Sequence, residues 1–284
     1  MDEVNDDPAL PPELGAVRTG DGSFTLVGPG HGQNCHSTFG ARSEARRRYA
    51  DVCIDGPVPV LDVRGTAGRP LRLLDIGLGL GLNTTAAWER LVLRRGSGAE
   101  LRVLALEHDR EIVARSLRLP PDGDPAFESH HVLVRAALAR ALASGEPRWC
   151  GEVTQGFTLE VRFGDARRTL LDAPPTGPFD AVFLDPFSPD VDAPLWESAF
   201  LGAVAHRMSS GAVLSTYSAA TRVRVHLRAV GLAVGVGPRV GPKAEGTLAA
   251  RGADVPPLHP RVQRRIDRRA ADVAHEGESA RDPL

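Results

Sequence analysis

The stretch LLDIGLGLGLNTTAAW, Leu73–Trp88, decides how this chain is read. An apolar run reaches an acid, Asp75. Three glycines follow at alternate positions, Gly77, Gly79 and Gly81, and a helix is expected from about Asn83. A nearly continuous apolar run is the mark of a strand buried in a parallel sheet. Glycine lets the backbone adopt positive φ or approach a ligand closely. Strand, bare turn and helix therefore make the first unit of a βα repeat. The glycines do not fit the dinucleotide pattern G-x-G-x-x-G, whose third glycine falls on Leu82. The order here is D-x-G-x-G-x-G.

Further strands follow at LRVLALEHD, FTLEVRFGDA, FDAVFLDPF and GAVLSTYS, with helices expected near 110–118 and at AATRVRVHLRAVG, which ends at Gly231. LAVGVGPRVG and EGTLAAR read as a closing antiparallel pair. This alternation predicts an α/β, Rossmann-like architecture: a mostly parallel, doubly wound sheet with a closing antiparallel strand. Residues 119–150 fit the alternation poorly and read as an insertion with a long helical patch. Ahead of the core, VRTGDGSFTLVGPG gives two short strands around the Asp21-Gly22 turn. HSTFGARSEARRRYAD is expected to be helical from about Gly40. The expected organisation is a disordered acidic tail at 1–14 and one domain over 15–250, with a hairpin-and-helix extension at 15–65. The charged segment 251–284 is expected to be disordered or a lone exposed helix.

The 284 residues are 42% hydrophobic, enough for one large core, and the net charge of −2 gives no overall field toward nucleic acid. Lys243 is the only lysine among 34 basic residues, so any phosphate contact falls mainly to arginine. Arg42, Arg46, Arg47, Arg48, Arg222, Arg224, Arg228 and Arg239 are the candidates, beside the reading that they solvate helix faces. Three scattered cysteines form no CxxC pair, which argues against a disulfide framework or structural metal. No apolar run is long enough to span a membrane, and a cytoplasmic protein is expected.

In a doubly wound sheet, ligands bind outside the carboxyl ends of the strands. Asp75, Glu107, Asp165 and Asp185 each close a predicted strand there. The glycine spacing resembles motif I of the Rossmann-like methyltransferases that bind S-adenosylmethionine. On that reading Glu107 accepts the ribose hydroxyls, Asp165 accepts an adenine amino proton, and Asp75 orients the methionine end. Ionised carboxylates are acceptor-only groups, matched to these donors. Asp185 with Pro186, Phe187 and Pro189 suits a flat substrate carrying an amine. Each acid also has a plainer reading, as a helix cap or a turn residue.

Several stretches together resemble a known family. They are DGSFTL, HSTFGARSEARRRYAD, DIGLGLGLNTTAAW, LEHD, FGDAR, FDAVFLDPFSPDVDAPLWESAF and GPRVGPKAEGTLA, over roughly residues 17–250. They resemble the methyltransferase domain of the bifunctional tRNA 5-methylaminomethyl-2-thiouridine biosynthesis proteins and their stand-alone relatives. The resemblance implies S-adenosyl-L-methionine as cofactor, held by Asp75, Gly77, Gly79, Gly81, Asn83, Glu107 and Asp165. It implies methyl transfer at Asp185, Phe187 and Pro189, and acceptor contacts from His36, Glu44, Arg239 and Lys243. The implied acceptor is the 5-aminomethyl group of a tRNA wobble uridine, with no metal and no membrane. The two-domain members add a flavin-dependent oxidase. No second glycine fingerprint follows residue 250, so oxidase activity is not expected, and a separate oxidase acting upstream is a candidate partner. Two rivals stay open: a small amine, metabolite or protein as acceptor, and a non-catalytic binding module on the same fold.

Overall fold

The computed structural model describes residues 10–55, 65–66, 68–171, 178–241 and 245–279. β1 (Ala16–Arg18) and β2 (Phe24–Leu26) form an antiparallel hairpin, as the Asp21-Gly22 turn predicts. A continuous helical segment follows: α1 (Ala41–Glu44), a π-helical stretch at Ala45–Ala50, and α2 (Asp51–Ile54).

The core alternates strands and helices. β3 (Leu71–Ile76) leads to α3 (Leu82–Arg95), β4 (Leu101–Glu107) to α4 (Arg110–Ser116) and α5 (Pro125–Ala143). β5 (Arg148–Thr154) and β6 (Phe157–Phe163) precede α6 (Ala166–Thr169). β7 (Phe179–Leu184), α7 (Ser198–His206), β8 (Met208–Thr216) and α8 (Thr221–Ala229) come next. β9 (Ala233–Val236), β10 (Thr247–Ala250) and α9 (Pro260–Ser279) close the chain.

Eight strands form one sheet in the order β5-β6-β4-β3-β7-β8-β10-β9. The inner five, β6 to β8, are parallel. The chain runs from β3 to β4 and β6 on one side, then crosses back to β7 and β8 on the other. β3 is thus the strand where the order reverses, and a crevice opens beyond its carboxyl end. Its side chains alternate between two cores. Leu73 belongs to the core that also holds Phe183, Leu138 and Trp88, while Leu74 and Ile76 belong to the one that holds Val182, Phe200 and Val223. Strands covered on both faces have no solvent side, and β7 is buried at every position.

The closing pair is present, with β10 seated between β8 and β9 and antiparallel to both. Two segments depart from the sequence reading. The poorly fitting region 119–150 holds α5 and the start of β5, an antiparallel edge strand on β6. β5 alternates between exposed and half-buried positions and carries no apolar run to announce it. The charged C-terminal segment, expected to be disordered or lone, carries α9 packed on the fold: Ile266 and Ala270 are buried in the core around α8. Of the acidic leader, residues 1–9 lie outside the described residues, and Leu14 is buried. Among the described residues no helix is long and apolar enough to cross a membrane.

Candidate active site

The carboxyl edge of the sheet opens into a cavity of about 640 Å³. Gly77, Gly79, Glu107, Asp165, Asp185 and Phe187 all line it, so three of the four strand-end acids picked from the sequence converge. A second hollow of about 430 Å³ adjoins it, lined by Glu44, Arg48, Tyr217 and Val240 among others. His36, Asp185, Pro186 and Phe187 belong to both hollows and form the wall between them.

The glycine turn makes the floor of the larger cavity. Gly77 has φ +85°, and a Cβ there would meet the Asp185 carbonyl oxygen at 2.4 Å. Glycine is therefore required for the β3 and β7 ends to come together. Gly79, at φ +52°, faces open space: a Cβ would find only the Gly77 carbonyl, at 4.0 Å. The Gly79 N–H donates to Glu107 Oε2 at 2.7 Å, and the Asp109 N–H donates to Oε1 at 2.8 Å. Each Glu107 oxygen keeps a lone pair for a hydroxyl donor. Burial pushes the Glu107 carboxyl above its ordinary range. Asp165 caps α6 and pairs with Arg167, which holds its carboxyl below the ordinary range. Cap and cavity wall are the same residue.

Three expected cofactor contacts sit elsewhere. Asp75 is fully buried beneath the turn and does not line the cavity; Thr84 Oγ1 donates to its Oδ2 at 2.7 Å. Its Oδ1 is buried without a hydrogen-bond partner among the described residues. Gly81 opens α3 at φ +75° and packs toward Val134 and Leu138 of α5. The Asn83 amide donates to Asp185 Oδ2 at 2.7 Å, and Asn83 lines neither hollow.

Burial lifts the Asp75 carboxyl to about 7, with the Glu107 charge adding to it. Asp75 is then protonated in the fold, and ionised in the unfolded chain, across about pH 4 to 7. Its contribution to stability is fully present below the unfolded pKa and is lost as pH rises through the folded one. Asp75→Asn, which still accepts from Thr84, should remove this loss. Urea denaturation at several pH values should show the variant declining less steeply between pH 4 and 7, by about 1.4 kcal/mol per pH unit. Parallel profiles would show that Asp75 does not titrate there.

Asp185 ends β7 with its side chain only 4% exposed. Tyr49 Oη donates to its Oδ1 at 2.5 Å, and Asn83 holds the other oxygen. Burial, then the nearby Glu44 carboxylate, push Asp185 well above the ordinary carboxylate range. His36 Nδ1 lies 3.6 Å from Asp185 Oδ2, and neither ring nitrogen of this buried histidine has a hydrogen-bond partner among the described residues. Burial lowers the His36 pKa, so the ring is neutral. Glu44 accepts from the Ser37 N–H at 2.8 Å and from Arg48 Nε at 3.1 Å.

The loop after β7 is clamped from several sides. Tyr217 Oη donates to the Pro186 carbonyl at 3.0 Å and Trp196 Nε1 to the Phe187 carbonyl at 2.9 Å. The Ser188 N–H donates to Gln33 Oε1 at 3.2 Å. The Phe187 ring meets His31 edge-on, with centroids 4.2 Å apart. Pro189 is buried in this loop and lines neither hollow. Arg239 is exposed beside Val240, and Lys243 lies outside the described residues.

Tyr49 and Tyr217 were missed in the sequence. The signal was available: they are the only two tyrosines in the chain, in a composition with 5% aromatics. Several arginines offered for phosphate contact are used internally instead. Arg42 pairs with Asp122, Arg46 with Glu89 and Asp124, and Arg48 with Glu44. Arg224 is buried against Thr247 and Glu245.

Sheet order, glycine floor and strand-end acids define a class I, Rossmann-like S-adenosyl-L-methionine-dependent methyltransferase. A family model described as S-adenosyl-L-methionine-dependent methyltransferase matches residues 131–252. The fold and cofactor site are those of these methyltransferases, and the chain is similar to the MnmC proteins. It is 30% identical over 226 residues to the tRNA 5-methylaminomethyl-2-thiouridine biosynthesis bifunctional protein MnmC of Chromohalobacter salexigens, covering 74% of this chain and 30% of that protein. To its namesake from Paracidovorax citrulli it is 33% identical over 190 residues, covering 64% of this chain and 28% of that protein. The chain thus spans under a third of these two relatives. The crystal structure of MnmC2 from Aquifex aeolicus superposes with a TM-score of 0.69 at 27% identity, over 88% of this chain and 74% of that one.

Proposed function

We propose that this methyltransferase acts on a primary amine, the 5-aminomethyl group of a tRNA wobble uridine. The observation that carries the reading is the position of Asp185. It is buried, fixed at both oxygens, and set in the wall between the donor cavity and the second hollow. The MnmC relatives, named for tRNA 5-methylaminomethyl-2-thiouridine biosynthesis, support this choice of acceptor.

S-adenosyl-L-methionine, when bound, supplies a methyl group on a sulfonium. The larger cavity fits it. Glu107 presents two oxygens with free lone pairs, Asp165 is ionised at the wall, and Gly79 leaves its approach bare. Asp75 holds the turn from below through Thr84. On the acceptor side, an amine attacks only as the free base. Asp185 orients the nitrogen and takes its proton; burial and Glu44 raise its affinity for that proton. Tyr49 and Asn83 keep both carboxylate oxygens in place. The neutral His36 ring can accept a second N–H of the amine, and Phe187 gives the nucleobase a flat wall. Alignment of amine and methyl contributes about 7–11 kcal/mol, and proton removal a further ~10²–10⁴-fold.

The test is to incubate the protein with methyl-labelled donor and hypomodified tRNA, then digest to nucleosides. One labelled nucleoside is expected, with the methyl on its exocyclic 5-aminomethyl nitrogen. Label in another nucleoside, or only in an added small amine, would replace the acceptor.

A further inference from the structure

We propose that the outward face of α9 is a docking surface for RNA phosphates; the inference rests on the tRNA reading and names the surface that would hold the body of that substrate.

Arg261, Arg264, Arg265, Arg268 and Arg269 stand at i, i+3, i+4, i+7 and i+8, and all five are exposed. Residues at this spacing share one helical face. The other face carries Val262, Ile266, Ala270 and Val273, packed into the core beside α8. The helix is held by its apolar stripe, so the arginines are not needed for its docking. From Arg261 to Arg269 the row covers about 12 Å at 1.5 Å per residue. A nucleic acid duplex carries one charge per about 1.7 Å of axis, so several phosphates fit over such a row. Guanidinium suits them through its planar fork of donors.

These arginines differ from those the acidic side chains already hold. Among the described residues, Arg261, Arg264, Arg268 and Arg269 show no ion pair, and Arg265 Nη2 donates to Thr221 Oγ1 at 3.3 Å. Arg42, Arg46, Arg48 and Arg224 are already committed to carboxylates. The nearby acids do not cancel the row. Among the described side chains, Asp267 is taken by Arg228 and Gln263, which leaves Asp272 on the exposed side.

Position favours RNA over another polyanion. Thr221, the contact of Arg265, opens α8 four residues after Tyr217, which lines the acceptor hollow. Arg222 on the same helix pairs with Asp190 in the loop that carries Phe187. The arginine row therefore continues from the rim where the target nucleotide would enter.

The full chain with Arg261→Ala, Arg264→Ala and Arg268→Ala tests this. Filter binding of tRNA at several salt concentrations should show affinity about 10–100-fold weaker, with the salt slope reduced by about 2–3. Binding of S-adenosylhomocysteine and methylation of a free 5-aminomethyl nucleoside should stay unchanged. The three corresponding lysine substitutions should restore most of the affinity. Wild-type affinity and slope in the alanine variant would overturn the proposal. So would loss of sedimentation with anionic vesicles while tRNA binding is kept, which would make the face a membrane contact. If the wild-type chain methylates no tRNA, the acceptor reading falls first, before any variant is compared.

Discussion

Asp185→Asn is expected to lower methyl transfer by about 10²–10⁴-fold while S-adenosylhomocysteine binds with near wild-type affinity. The substitution removes the charge and the proton-accepting capacity but keeps the volume. Tyr49 can still donate to the amide oxygen. The second amide position becomes a donor facing the Asn83 amide, so the wall loses one of its two fixing bonds. The cavity floor is built by Gly77, Gly79 and Glu107 and does not depend on this side chain. The pH dependence separates chemistry from damage. Asp185 must be ionised to take the amine proton, and its folded pKa lies above the ordinary range. Wild-type turnover should rise with pH as Asp185 ionises, and the variant should lack that limb. Calorimetry with S-adenosylhomocysteine beside single-turnover assays reads both quantities. Unchanged turnover would remove Asp185 from the mechanism; lost cofactor binding would move its role to the donor side.

Gly79→Val should abolish measurable cofactor binding, a loss of at least about 100-fold, in a chain that still folds. Two costs combine. A β-branched residue at φ +52° carries about 1–3 kcal/mol of backbone strain, and its methyl groups enter the cavity at the bare approach. The Cβ itself meets nothing but a carbonyl at 4.0 Å, so the fold tolerates the atom. Gly77→Val is the informative contrast. There the Cβ is driven to 2.4 Å from the Asp185 carbonyl, and the β3–β7 junction should fail with it. Thermal melts and ligand titration on both variants distinguish a blocked site from a broken sheet. Normal affinity in Gly79→Val would show that the cofactor lies elsewhere.

The larger cavity was legible in outline because strand ends are legible. Apolar runs place Asp75, Glu107, Asp165 and Asp185 at the carboxyl edge, and the glycine order marks the turn between β3 and α3. What could not be read was which neighbour each side chain chooses. Asp75 and Thr84 are nine residues apart, and only the folded turn brings them to 2.7 Å. The resemblance implies Asn83 as a cofactor contact, but its amide finds Asp185, 102 residues away. Tyr49 reaches the same carboxylate across 136 residues, a pairing no local pattern encodes. β5 was hidden because an edge strand half in water needs no apolar run. α9 was hidden by its own charge. The apolar stripe at Val262, Ile266, Ala270 and Val273 was present in the sequence, but the arginines between those positions made the segment look soluble on every side.

The π-helical stretch at Ala45–Ala50 has a consequence for how the enzyme is put together. It delivers Tyr49 to Asp185 from a segment that precedes the first core strand, and His36 and Glu44 arrive from the same direction. The glycine floor belongs to the βα repeat, whereas the segment ahead of it lines both hollows, His31 and Cys35 at the larger and Glu44 and Arg48 at the smaller. A chain begun at β3 would lose Tyr49 and His36 from beside Asp185, and with them the core packing of Ala41, Ala45 and Ala50. Under the proposed function, exchange of residues 41–55 between relatives, which leaves the residues lining the larger cavity in place, should change which acceptor is modified more than how the donor is gripped.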